Sequence, residues 1–295
     1  MKDYVATSGL VSMKECGNDI FVLKYKKKVF YDNLWNEYIA ECRGSIVDAD
    51  FNLVSYPFTK IYNYGIEKEA PVLTDDTKVT AFRKVNGFMV ACTWHNSDVL
   101  VSTTGSTDSE FVAMAKEVML THMSWADWQI ALAEANGFTL MFECCHANDP
   151  HIVPEDVGLY FLGVRENSWD SKVEMYGTDT TEWVRDYALG VLHCGYAESI
   201  YTTVGELVKL SKNVKHEGFV FYTADNVSAK IKSPYYLVNK FVARNPRTDK
   251  LMRKDIKQSL DEEYYPLIDA IQANIEAYTA MDEQTRLAWV REQLS

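Results

Sequence analysis

Apolar positions along the chain change period several times, and each change predicts an element. SIVD (45–48) and LVSY (53–56) alternate around Asp48-Ala49-Asp50-Phe51-Asn52 and predict a hairpin over 45–56. Phe88–Trp94 and Val99–Thr104 predict a second hairpin across His95-Asn96-Ser97-Asp98. Val79–Lys84, Phe138–Glu143, Leu159–Val164, Phe219–Tyr222 and Ser228–Ile231 read as further strands. Helical spacing appears at Phe111, Met114, Ala115 and Val118, behind a capping box made by Thr107 and Glu110. Helices are also predicted over 31–41, from about Trp125 to Asn136 with Gly137 as the stop, and over most of 178–215. After Ser259 the chain turns acidic, and Leu267, Ile268, Ile271, Ile275 and Tyr278 recur at helical spacing. The pattern predicts an α+β fold with a boundary near 240: a larger domain over 1–240 and a small all-helical one over 241–295.

Composition narrows the class. The 295 residues are 47% apolar and 24% charged, which suits a packed core and excludes intrinsic disorder. No apolar run approaches the roughly 20 residues that span a bilayer, and the first residues do not read as a signal peptide. The six cysteines show no zinc spacing, and adjacent Cys144 and Cys145 are poor disulfide partners, so a reducing, cytoplasmic setting is expected. Nothing calls for a membrane or an obligate protein partner. The net charge of −12 means that the overall field repels polyanions. A nucleic acid would have to meet a local basic groove, helped by metal ions.

Four places carry candidate chemistry. Lys84 ends a strand in Arg83-Lys84-Val85-Asn86-Gly87, where the glycine lets backbone approach a ligand. A lysine nucleophile must lose its proton, which near neutrality costs roughly 4 kcal/mol against a free pKa of about 10.4; nearby cations and a metal can supply that. An ordinary surface lysine is the plain alternative. Lys230 and Lys232 are two apart on a strand and share a face, which suits a phosphate or simply solvent. Glu217 opens the apolar strand after His216, and Glu143 ends another. Two carboxylates among several lysines suggest a metal–nucleotide site, since Mg²⁺ takes hard oxygen ligands and phosphates. The histidines show no HxH or HExxH, so zinc is not expected; His146 and His151 flank a loop beside Glu143 and are candidate substrate contacts. Seven cations from Lys240 to Lys257 could follow an RNA backbone or form a solvated face. Trp125 and Trp128 read as core.

The order of these motifs is more specific than any one of them. Lys84-x-x-Gly87, Phe142-Glu143, Glu217-Gly218 and Lys230-x-Lys232 resemble the covalent nucleotidyltransferases, which include ATP-dependent DNA ligases, RNA ligases and capping enzymes. Glu41-Cys42-Arg43-Gly44, Thr59-Lys60-Ile61-Tyr62-Asn63, Leu162-Gly163-Val164-Arg165-Glu166-Asn167 and Tyr235-Tyr236 narrow the resemblance to the phage-type RNA ligase 1 family over about residues 25–240.

That resemblance implies antiparallel sheets around an ATP cleft, ATP and Mg²⁺ (or Mn²⁺) as cofactors, and RNA 5′-phosphate and 3′-hydroxyl ends as substrates. It implies Lys84 as the nucleophile that carries AMP, with Lys60, Lys230 and Lys232 on the phosphates and Arg43 beside them. Glu143 would contact the ribose and, with Glu217, serve the metal. Asn86, Gly87 and Tyr236 would line the nucleotide pocket. The chain departs from the family in having Asn86 where aspartate is usual, Phe88 where a small hydroxyl residue is usual, and Ser102, Thr103 and Thr104 where lysines are usual. Rival readings are a nick-joining DNA ligase, a capping guanylyltransferase, or an impaired protein that binds RNA ends.

Overall fold

A computed structural model describes residues 1–149, 151–173, 194–244, 251–253, 255–260 and 262–294. The chain divides into two compact units. The first contains Met1–Lys60, Gly87–His151 and Glu155–Ala197; the second contains Ile61–Asn86, Ile152–Pro154 and Glu198–Ser295.

The first unit opens with helix α1 (Lys2–Thr7). A four-stranded antiparallel sheet follows: β1 (Val11–Glu15), β2 (Ile20–Tyr25), β3 (Arg43–Asp48) and β4 (Leu53–Ser55), in that order. The predicted hairpin over 45–56 is β3–β4. Its turn is closed by Asp48, which accepts from Asn52 N at 2.8 Å. The single helix expected over 31–41 is instead two short helices, α2 (Lys27–Tyr31) and α3 (Glu37–Glu41). Asn33 lies in the left-handed region (φ 48) and breaks the run. Asn36 then caps α3 by accepting from Ile39 N at 3.0 Å.

A second sheet in this unit has the order β10-β9-β8-β6-β7. Its strands are β6 (Phe88–His95), β7 (Asp98–Ser102), β8 (Phe138–Cys145), β9 (Gly158–Glu166) and β10 (Gly195–Tyr196). The pairs are antiparallel except β9–β10. The predicted β6–β7 hairpin turns through Asn96 and Ser97, both at positive φ, the conformation that two-residue hairpin turns prefer. Helices α4 (Glu110–His122) and α5 (Trp125–Glu134) bury Val112, Ala115, Met119, Trp128 and Leu132 against Val90, Val101, Phe142 and Phe161. Trp128 is fully buried and donates to Met119 O at 3.0 Å. The cap of α4 is Ser109, which accepts from Val112 N, rather than Thr107. Asp108 is already taken by Ser106, so the chain before Ser109 is a turn.

The second unit is built on an antiparallel sheet of order β11-β5-β12-β13. Its strands are β5 (Lys78–Arg83), β11 (Ser199–Thr203), β12 (Gly218–Tyr222) and β13 (Ser228–Lys232). Helix α6 (Val204–Ser211) covers one face, packing Val204 and Leu207 on Val79, Ala81, Phe219, Phe221 and Ala229. Within the stretch 178–215 expected to be helical, 199–203 is a strand and 204–211 a helix; 178–193 lies outside the described residues.

Beyond β13, the described residues are helical or loop. Helix α7 (Pro234–Arg244) contains residue 240, and α8 (Tyr265–Ala273), α9 (Ile275–Ala280) and α10 (Glu283–Gln293) follow. Their core gathers Leu237, Phe241, Tyr264, Leu267, Ile271 and Val290, with Val153 joining from 152–154. This is the α+β architecture with antiparallel sheets and a smaller helical C-terminal region that the pattern predicts. Among the described residues no helix is long and apolar enough to cross a membrane. All six cysteines are free thiols.

Candidate active site

The candidate nucleophile lies in the second unit, one residue past the end of β5. Lys84 N donates to Gly218 O at 2.8 Å, extending the β5–β12 ladder. Gly218 has φ +135, and a Cβ there would lie 2.0 Å from Ile231 O, so only glycine lets β13 approach so closely. That turn of backbone sets Glu217 beside Lys84.

Glu217 is 4% exposed. Its Oε2 accepts from Lys84 Nζ at 3.1 Å and from Asn86 Nδ2 at 2.7 Å. Asn86 Oδ1 in turn accepts from Val153 N at 3.1 Å. Burial pushes the Glu217 carboxyl up, but the charges of Lys84 and Lys232 and the two hydrogen bonds outweigh it. The net effect holds Glu217 below the usual carboxylate range. The Lys84 side chain keeps 23% of its exposure, so its amine is reachable from solvent while its partner is not.

Strand alternation sorts β13 as expected. Ala229 and Ile231 face α6, leaving Lys230 and Lys232 on the opposite face. Lys230 is fixed through its backbone, which bonds Tyr62 O and Tyr64 N at 2.9 Å each. Lys232 Nζ forms an ion pair with Glu263 and lies 5.9 Å from the Tyr236 ring centroid. Lys240 lies 5.5 Å from the same ring. Lys84, Asn86, Glu217 and Lys232 are thus gathered in one electrostatic cluster, with Tyr236 against Lys232. Next to it, His216 is held below its usual range by burial and by the charge of Arg83. Its Nδ1 accepts from Gly218 N at 3.2 Å.

The first unit holds the remaining predicted residues in two places. Glu143, on β8 and 8% exposed, accepts from Gly87 N at 3.2 Å. A Cβ on Gly87 would lie 2.3 Å from Cys144 O, which explains the glycine. Lys60 lies over Trp35, with Nζ 4.2 Å from the ring centroid, and its N bonds Ala40 O at 2.9 Å. Arg43 opens β3 opposite Lys24. His146 is paired with Glu117 at 3.3 Å and His151 with Asp149 at 2.8 Å.

Arg165 belongs to the Leu162–Asn167 motif, and the sequence assigns it no role. It is 3% exposed on β9. Its Nη1 reaches Glu41 Oε2 at 2.9 Å, Pro57 O at 3.1 Å and Thr59 Oγ1 at 3.2 Å, and its Nη2 reaches Ser171 O at 2.8 Å. Its guanidinium lies 3.4 Å from the Tyr56 ring centroid. Arg165 therefore ties the Glu41 end of α3, two residues before Arg43, to the 57–59 segment that leads into Lys60. An arginine inside an otherwise apolar strand was the available clue, because such a charge is buried only when paired.

The basic stretch after 240 is only partly described. Arg253 pairs with Asp255 at 2.7 Å and Lys257 with Asp269 at 2.6 Å. Arg247, Lys250 and Lys254 lie outside the described residues. Among the described residues no group of three or more His, Cys, Asp or Glu side chains could hold a metal.

No family model matches the sequence, and no curated protein matches it. Solved structures do resemble it. A putative ATP-dependent DNA ligase from Aquifex aeolicus superposes with a TM-score of 0.58 at 14% identity, covering 99% of this chain and 77% of that one. An archaeal ATP-dependent RNA ligase, form 1, gives 0.58 at 14% identity over 99% of this chain and 74% of that one. Its form 2 gives 0.57 at 13% identity with the same coverage. The chain therefore shares its fold with these ligase structures.

Proposed function

We propose that this chain is an ATP-dependent RNA ligase of the phage-type RNA ligase 1 kind, working through an AMP carried on Lys84. The observation that carries the reading is the Lys84–Glu217–Asn86 cluster with Lys232 in its field, on a fold shared with RNA and DNA ligases.

In the first step the Lys84 amine attacks the α-phosphorus of ATP. A P–N bond forms, and the P–O bond to pyrophosphate breaks. The amine must first shed a proton to solvent. The Glu217 carboxylate, 3.1 Å from Nζ, favours the ammonium form and so opposes that loss. Glu217 would hold a divalent cation together with the phosphates; when bound, that cation would supply charge neutralisation and relieve Lys84 of its counter-ion. In the second step an RNA 5′-phosphate oxygen attacks the same phosphorus, and Lys84 leaves. In the third step an RNA 3′-hydroxyl attacks the 5′-phosphate, forming the phosphodiester and expelling AMP.

Positioning and cation clamps dominate such chemistry. Lys230 and Lys232 are assigned to the phosphates. Gly87 gives close backbone approach, and Tyr236 and Asn86 support the nucleotide. RNA carrying a labelled 5′-phosphate, incubated with the protein, ATP and Mg²⁺, is expected to give phosphatase-resistant circles. Sealing of nicked duplex DNA with no RNA product would overturn the reading in favour of a DNA ligase.

A further inference from the structure

Lys232 pairs with a residue in the helical C-terminal region. Glu263 stands in the 3₁₀ turn Glu262–Tyr264, and its side chain is 1% exposed against 11% for Lys232. The turn is fixed in place. Tyr264 OH donates to Leu237 O at 3.0 Å, and its ring packs on Phe241 at 5.5 Å. The Lys232 ammonium also acts on Glu217, so it lies in the field of two buried carboxylates. One belongs to the Lys84 cluster and the other to the C-terminal helices.

A carboxylate buried that far is retained only with a charge partner, and removing either member strands the other. An inhibitory arm would have to leave for the site to work, and would sit at the surface. Glu263 is the opposite: it is enclosed with Tyr264 and Phe241, and its departure would expose that core.

We infer that Glu263 is a positioning residue for nucleotidyl transfer, holding the Lys232 ammonium where the reaction needs a cation for phosphate. The inference rests on the role proposed above for Lys232. It makes the C-terminal helical region a working part of the site rather than an appendage, although the sequence alone set that region apart.

The test uses the full chain as wild type, Glu263→Gln, Glu263→Asp, Lys232→Ala and the Lys232→Ala/Glu263→Gln double variant. Single-turnover transfer of label from α-labelled ATP is followed across ATP concentrations. Glu263→Gln is expected to lower the maximal rate roughly ten- to hundredfold, the scale on which a small misplacement acts. The ATP concentration for half-maximal rate should change little, Glu263→Asp should recover part of the rate, and the double variant should be no slower than Lys232→Ala. Separately, acetylation by an N-hydroxysuccinimide ester, read by peptide mass, should modify Lys232 several-fold faster in Glu263→Gln, with exposed Lys78 unchanged. A full-speed Glu263→Gln, multiplying effects in the double variant, or equal Lys232 reactivity overturns the inference while leaving the proposed function standing. Wild-type protein that takes no label overturns the proposed function itself and, with it, the catalytic part of the inference.

Discussion

Asn86 gives Glu217 a hydrogen bond at 2.7 Å that an aspartate in its place could not give. Its other amide atom is also used, by Val153 N, so both ends of the side chain are matched. Asn86→Asp would set two buried carboxylates against each other. It should destabilise the protein by about 1–3 kcal/mol through the lost donor, with repulsion added. Because the pair would hold a proton more tightly folded than unfolded, the deficit should grow as pH rises above the ordinary carboxylate range. Thermal unfolding of both proteins at pH 5 and pH 8 checks this, and adenylylation should fall. A large gain in adenylylation would instead favour the impaired-enzyme reading.

Glu217 makes a pH-dependent contribution with a definite sign. Its folded pKa is depressed, by charges and hydrogen bonds that outweigh burial. The stability it supplies is therefore complete above the unfolded carboxylate range and is lost as pH falls through the folded value. Urea unfolding between pH 6 and pH 3 should weaken less steeply in Glu217→Gln than in wild type. Glu217→Ala, which strips Lys84 and Asn86 of their acceptor, should cost about 1–3 kcal/mol at pH 7.

Arg165 should matter to stability through the buried ion pair it makes. Arg165→Ala leaves Glu41 (its side chain 19% exposed) without its charge partner and should destabilise by about 3–5 kcal/mol. Arg165→Lys keeps the charge but loses the planar fork and the stack on Tyr56, so it should recover less than half of the loss. Denaturant midpoints of the three proteins decide the point.

The five buried thiols should be inert in the folded state. Burial pushes Cys42, Cys144 and Cys194 up to about 12, and raises Cys92 as well. Cys16 is partly exposed and the other five are buried. Ellman's reagent should therefore titrate Cys16 quickly in native protein at pH 8, and the remaining thiols only after denaturation. Rapid native reaction of Cys144 would contradict its packing.

How far the sequence foretold this depends on the range of the interaction. Lys230 and Lys232 share a face because strand alternation is local, and Ala229 and Ile231 mark the buried side. Gly87 was legible as a close approach, though toward a ligand rather than the Cys144 carbonyl it packs on, and nothing in the sequence marked Gly218 as one. The ion pairs of Arg165 with Glu41 and of Lys232 with Glu263 were not legible, since each joins segments far apart in sequence. The helix expected over 31–41 fails at Asn33, where a left-handed residue outweighs apolar spacing. Strand β11 was taken for helix although Ile200, Tyr201, Thr202 and Thr203 favour strand: an edge strand with exposed side chains lacks the alternation of burial that marks an inner one.

The central claim is that Lys84 carries AMP. The direct measurement incubates wild type and Lys84→Ala with α-labelled ATP and Mg²⁺, denatures both, and maps any label by peptide mass, with intact mass taken beforehand to detect protein already adenylylated. The account predicts label on wild type alone, on the Lys84 peptide, stable in alkali and lost in acid as a phosphoramidate is. Equal label on Lys84→Ala, or none on wild type that intact mass shows to be free of AMP, would contradict it.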